Sequence, residues 1–157
     1  EWLDSDGLKL LPKELRTSIK AVKKVSNNTG VANDASCLSE LPATLWLPAM
    51  VELCGDQPPE SFAEGYHYLA DIYNDEGKEY QLFRELKVSP YSTNSTMVRQ
   101  WKDKDTCWWQ RTTSPDTSDE KGTLYMNRVG YDGDVFMYAT PASKPDKRTC
   151  VIPGFCI

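Results

Sequence analysis

The last third of the chain is what most restricts how it can fold. It opens on Cys107-Trp108-Trp109-Gln110-Arg111 and closes on Cys150-Val151-Ile152-Pro153-Gly154-Phe155-Cys156-Ile157. Between these apolar ends lie polar turns and one alternating run, Tyr125 to Tyr138. Bulky apolar ends gain most by burial, and burying both leaves the polar middle at the surface on a fixed frame. Asp132-Gly133 stands between two strand-like runs, Leu124 to Val129 and Asp134 to Tyr138, which is a hairpin signal. Alternation sends Val129 and Val135 to the core only if that turn shifts the register between them. Anchored ends and a displayed centre suggest a recognition surface more than a catalytic pocket.

Composition narrows the function classes. The chain has 157 residues, 39% hydrophobic and 26% charged, ordinary for one soluble globular domain. A domain of this size buries roughly 70% of its unfolded surface, enough for a core without staples. The net charge of -5 and the lack of a basic stripe argue against nucleic acid as partner. No segment reaches the roughly 20 apolar residues of a membrane span, so no membrane insertion is expected. The first residue is Glu1, and the chain is expected to be a fragment, a processed protein or an excised domain. Five cysteines, Cys37, Cys54, Cys107, Cys150 and Cys156, cannot all pair within one chain and show no redox spacing. Mostly reduced, buried thiols are expected.

Asp4 or Ser5 is expected to cap a short first helix, and Leu11, Leu15, Ile19 and Val22 predict an amphipathic helix from about 12 to 21, leaving through an extended run to Val25. Ser26 to Glu40 reads as loop, Thr44 to Leu47 as a strand, and Ala49 to Cys54 as a helical turn stopped at Gly55. Tyr66 to Tyr73 fits helix or strand. Asn74 to Gly77 is a turn, and Tyr80, Phe83 and Leu86 share a helix face. Ser89 to Ser95 reads as loop, and short strands follow at Met97 to Trp101, at Trp108-Trp109, on both arms of the hairpin, and at Cys150 to Phe155. Two N-terminal helices followed by a strand-rich, loop-rich half predict an α+β fold with one irregular antiparallel sheet and long loops.

Cys107-Trp108-Trp109-Gln110-Arg111-Thr112, then Val129-x-x-x-Gly133-x-Val135, then Val151-Ile152-Pro153-Gly154-Phe155-Cys156-Ile157 resemble a bacterial domain family of unassigned function. Its members read WWLRS, a V-x-x-x-G-x-V hairpin, and GVRPAFCI or GVAPGFCI at the end. Trp2-Leu3-Asp4 and Leu11-Pro12 to Lys20 are similar to its WLN and LP segments. Leu45 to Glu52 with Gly55, and Glu76-Gly77 with Tyr80 and Phe83, are similar to its EVFG and EG segments. Gln110, Thr112 and the Thr149 to Ile152 region depart from its pattern, and its strand before the WLN segment has no counterpart here. The resemblance implies a C-type-lectin-like fold, shared with formylglycine-generating enzymes and with the variable proteins of diversity-generating retroelements. It implies a single domain over residues 1–157, displayed on a bacterial surface or phage tail tip, that binds a protein or glycan receptor through a diversified C-terminal third. A structural module of a surface or tail assembly, or an enzyme of the same fold, are the rival readings.

The expected ligand-binding residues are Arg111, Tyr125, Asn127, Arg128, Tyr131, Asp132, Asp134, Phe136 and Tyr138. Tyr and Arg are favoured interface anchors, and Asn and Asp supply adaptable hydrogen bonds. Trp108 and Trp109 read as core, although neighbours on a strand face opposite sides. Trp109 and Phe155 are expected to join the double-Trp strand to the C-terminal strand in one core. No catalytic residue, metal or cofactor is assigned. His67, the only histidine, lies between tyrosines with no nucleophile motif and reads as structural. Asp4-Ser5-Asp6-Gly7 lacks the later ligands of a calcium loop. Turn chemistry accounts for Asp132 and Asp134. Asn27-Asn28-Thr29 and Asn94-Ser95-Thr96 read as chance glycosylation matches.

Overall fold

The structure, a computed structural model, describes residues 2–27, 38–62, 64, 69–114, 125–135, 137–141 and 149–157. The fold is α+β, with short helices and mainly antiparallel strands. Two N-terminal helices do not form as expected. Leu3–Gly7 is one wide helical turn, and α1 (Lys13–Ser18) is short and buries no residue. Asp4 caps nothing: its carboxylate accepts the backbone N–H groups of Thr44 (3.0 Å) and Leu45 (3.2 Å), which ties the N-terminal turn to a distant segment. Pro12 in the extended conformation delays α1 by a residue, and Ile19 is already extended, so the helical spacing of Leu11 to Val22 does not extend into one helix.

The exit strand runs longer than its expected end at Val25. β1 (Val22–Asn27) pairs antiparallel with β2 (Leu38–Ala43), so strand occupies part of the stretch read as loop. The expected strand at Thr44 to Leu47 is reduced to one bridge between Trp46 and Gly154. α2 (Met50–Cys54) is wholly buried and ends at Gly55 with φ 75°, the left-handed stop expected there. α3 (Leu69–Asn74) resolves the ambiguous aromatic run as helix over its described part, and α4 (Gln81–Glu85) follows. Tyr66, His67 and Tyr68 lie outside the described residues.

The larger sheet is organised around one strand. β3 (Arg99–Trp101), β4 (Lys104–Ser114), β5 (Tyr125–Val129) and β6 (Met137–Pro141) lie side by side, and β7 (Thr149–Cys150) pairs with β4 in parallel. β3 and β4 meet in a two-residue turn with φ 51° at Lys102 and 60° at Asp103. These angles match the right-handed twist of a tight hairpin even without glycine. Trp108 is flanked by Val129 on one side and Cys150 on the other. Beyond it the β4–β5 register shifts, so that three residues, Gln110 to Thr112, stand opposite Asn127 alone.

The core gathers α2, Phe62, Ala70 and Tyr73 of α3, Val88, Met97, Trp108, Val129 and Val135. Both valines of the hairpin motif are fully buried, Val129 as the last residue of β5 and Val135 in the turn that precedes β6, outside any strand. The double tryptophan divides. Trp108 is buried and its indole N–H donates to the Met97 carbonyl at 3.0 Å, whereas Trp109 is half-buried. Phe155 is 39% exposed and does not join the core. For the two tryptophans alternation is the reason: only one of two neighbours on β4 points into the main core. Among the described cysteines all four are free, and only Cys54 is buried. Burial pushes its thiol up to about 12, helped by the charges of Glu79 and Asp134. Cys37 lies outside the described residues.

The hairpin forms, but around a longer loop than a two-residue turn. Gly130 N–H donates to the Asp134 carbonyl and Gly133 N–H to the Gly130 carbonyl. Gly133 has φ 83°, and a Cβ there would lie 2.0 Å from the Asn94 carbonyl oxygen. Gly133→Ala is therefore expected to cost about 3 kcal/mol, from left-handed strain plus a backbone overlap that no rotamer relieves. Urea denaturation checks this; a loss under about 1 kcal/mol would mean the two loops do not touch.

Candidate functional site

Two arrangements stand out, one inside the protein and one on its rim. The inner one begins with Glu52, at the third position of α2. Its carboxylate accepts the Ala49 N–H at 2.9 Å, Lys24 Nζ at 2.6 Å and an Arg111 guanidinium nitrogen at 2.5 Å. Arg111 also donates to the carbonyls of Val25 and Leu47, both at 2.9 Å, and to that of Glu76. One planar fork thus braces β1, the segment before α2, α2 itself and the turn after α3, which suits arginine better than lysine. Thr112 accepts the Met50 N–H at 2.8 Å and donates its hydroxyl to Glu76. The other Glu76 oxygen accepts the Asn27 N–H at 3.2 Å. Tyr80 accepts hydrogen bonds from Lys24 and from the Trp46 indole, each at 2.9 Å.

This geometry corrects the expected placement of two residues. Arg111 is 8% exposed and Asn127 5% exposed, so neither is displayed. Gln110 to Thr113 are buried in succession, which a strand with one wet face cannot do. β4 is covered on both sides: Trp108 packs in the main core, and Arg111 and Thr113 bond to Val25 and Asn27 of β1. The segments of the Glu52, Glu76-Gly77 and Arg111-Thr112 motifs are distant in sequence, and here they form one buried polar cluster.

The charges in it are set by their neighbours. Burial alone would raise Glu52, but the Arg111 and Lys24 bonds outweigh it and hold its carboxyl below the usual range. Glu76 has no such cation directly on its oxygens. Burial pushes it up to about 7, and the charge of Glu52 adds to this against the bonds from Thr112 and Asn27. The folded protein therefore takes up a proton that the unfolded chain, near 4.5, releases. Stability from this group is full below about pH 4.5 and is lost as pH rises through about 7. Glu52 has the opposite sign and loses its contribution as pH falls. Glu76→Gln mimics the protonated side chain, so from pH 5 to pH 8 it is expected to gain about 2–3 kcal/mol relative to the parent. Denaturant titrations of both proteins at the two pH values measure that gain; a difference independent of pH would show Glu76 to be ionised throughout.

The rim arrangement is the hairpin loop with the 89–97 loop docked on it. Asn94 N–H donates to the Asp132 carbonyl at 3.2 Å, and its side-chain amide donates to the carbonyls of Ser89, Ser92 and Gly133. A glycan on that amide would break these bonds. Asp134 accepts the Tyr91 N–H at 2.9 Å, and Asp132 accepts the Asp134 N–H at 3.2 Å. The two aspartates, expected as ligand contacts, thus hold the loop. Tyr131 is displayed, 59% exposed, while Tyr125, Arg128, Asp132 and Asp134 are half-buried. Phe136 lies outside the described residues, and of Tyr138 only the backbone, in β6, is described. Tyr91 was not expected here. It is 55% exposed with φ 56°, a left-handed backbone that a tyrosine adopts only where its surroundings impose it. Its only sequence signal is the flanking Ser89-Pro90 and Ser92 to Ser95, a polar loop holding one aromatic.

Among the described residues no three metal-binding side chains converge, and no helix is long and apolar enough to cross a membrane. No protein-family model, curated protein or solved structure matches the chain.

Proposed function

We propose that the chain is a recognition domain of C-type-lectin-like type, of the kind diversified in retroelement variable proteins, which binds a protein or glycan receptor through the hairpin rim. The carrying observation is that Tyr131 and Tyr91, both more than half exposed, sit on loops whose backbone and side-chain bonds tie them to each other. Rigid aromatic area with little ordering cost suits an interface anchor. Two of the buried groups offer no ready nucleophile or base: burial pushes the Cys54 thiol up to about 12, and Glu52 is held by two cations. Display at a bacterial surface or phage tail tip belongs to the same proposal, as does diversification of the codons for 107–157.

The test uses the labelled domain on a glycan array and on intact bacterial cells, beside a Tyr91→Ser/Tyr131→Ser variant. The parent is expected to bind a defined set and the variant to lose at least about tenfold in affinity, with a melting temperature within a few degrees. Full binding by the folded variant would place the surface elsewhere. Sequencing around the gene adds an independent arm: a reverse transcriptase gene and a template copy of the 107–157 region differing at adenines are expected nearby.

A further inference from the structure

A second site lies away from the rim. A groove of about 580 Å³ opens between β1, the Trp46 to Pro48 segment, α4, β3 and the terminal residues from Ile152. That volume is in the range of pockets that enclose small organic ligands. Its walls are largely apolar, with Trp46, Pro48, Tyr80, Phe83, Ile152 and Phe155 among them. The side chains that line it include two cations, Lys24 and Arg99, and no carboxylate, in a chain whose net charge is -5. The groove is thus locally positive against the charge of the whole protein.

Lys24 lines this groove and also reaches the buried cluster. Its side chain is only 16% exposed, with the ammonium 4.2 Å from the centre of the Trp46 ring. Glu52 Oε1 and the Tyr80 hydroxyl take two of its three N–H bonds. Glu52 is shared with Arg111, and burial pushes Glu76, the other carboxylate of the cluster, up to about 7, so near neutral pH the two cations face one full and one partial negative charge. Arg99 donates to the Thr96 and Val98 carbonyls and pairs with no carboxylate among the described residues. Apolar walls beside an under-compensated cation suit a ligand with a hydrocarbon or aromatic body and one negative end. A neutral ligand would leave the charge unanswered, and a cation would be repelled.

We infer that this groove binds a small apolar carboxylic acid, its body between Trp46, Phe83 and Phe155 and its carboxylate at Lys24, with Arg99 adding positive potential at the mouth. The site shares no residue with the hairpin rim, so it stands or falls independently of the receptor-binding reading.

Isothermal titration with 2-naphthoate and with dodecanoate, each beside its uncharged amide, tests this on the whole chain. At least one acid is expected to bind, one per chain, below about 1 mM, with its amide about tenfold or more weaker. Lys24→Met is expected to weaken the acid about tenfold and to leave the amide unchanged. Should that variant fail to fold, Arg99→Gln, outside the buried cluster, should weaken the acid alone by about threefold, and Phe155→Ser should weaken acid and amide together. Absence of saturation by both acids overturns the inference, as does equal binding of acid and amide. Sedimentation showing a dimer that Phe155→Ser dissociates would also overturn it, since a second copy would then occupy the groove. A peptide ending in phenylalanine that binds where both acids are silent would count against it equally.

Discussion

Arg111→Met is expected to destabilise the protein by about 3–5 kcal/mol, the usual cost of leaving a buried charge without its partner. Glu52, with a side chain 2% exposed, would keep Lys24 but lose the stronger of its two cation bonds. The carbonyls of Val25, Leu47 and Glu76 would each lose a donor inside the protein, and each orphaned group adds a penalty of its own. Against a total stability of about 5–15 kcal/mol this is a large fraction. Arg111→Lys keeps the charge but not the fork, which reaches four acceptors at once, and should recover less than half of the loss. Glu52→Gln combined with Arg111→Met should cost less than the sum of the two single changes, because the pair is coupled. Urea denaturation of the four variants gives the result. A loss below about 1 kcal/mol for Arg111→Met would mean that the guanidinium is free to serve a ligand after all.

Trp108→Ala is expected to cost about 3–5 kcal/mol, while Trp109→Ala costs less than half as much. Trp108 sits 1% exposed between Val129 and Cys150, inside the cluster that also holds Met97 and Val135. Truncation removes the largest fully buried side chain among the described residues and also leaves the Met97 carbonyl without its indole donor. The loss is thus part cavity and part orphaned acceptor. Trp109 stands opposite Arg128 and is half-buried, so water already contacts some of its ring. Equal losses at the two positions would show that both faces of β4 are packed alike. Phe155→Ala, at a half-exposed position on the groove, should stay closer to Trp109→Ala than to Trp108→Ala.

These residues also show what a sequence does and does not carry. Val129 is legible as core because it lies on β5, a strand with a buried face, whereas Val135 is buried from the turn before β6, where period two does not apply. Gly55 was legible as a helix stop, because a left-handed cap needs glycine. Arg111 was not legible. A strand covered on both faces hides its arginine, and the covering partners, Val25, Leu47, Glu52 and Glu76, are 35 to 86 residues away in sequence. The double tryptophan told that large area must be buried, but the face was set by the β4–β5 register, which depends on a bulge with no glycine to mark it. Apolar spacing over Leu11 to Val22 suits one helix as well as a helix followed by a strand, so it does not locate the end of α1 at Ser18. Tyr91 is illegible for a related reason: the bonds that place it include those to Asp134 and Ser61, 43 and 30 residues away in sequence.

If a buried frame carries a surface free to vary, a yeast-displayed library randomised at Tyr91, Tyr125, Arg128 and Tyr131 will show it. The library is sorted first for protease resistance and then for binding to a single unrelated protein, such as hen lysozyme. Most variants are expected to resist protease as the parent does and specific binders to emerge, while a matched library at Gln110, Arg111, Thr112 and Val129 yields almost no resistant members. Equal loss of resistance in both libraries, or a stable rim library without a binder, would contradict it.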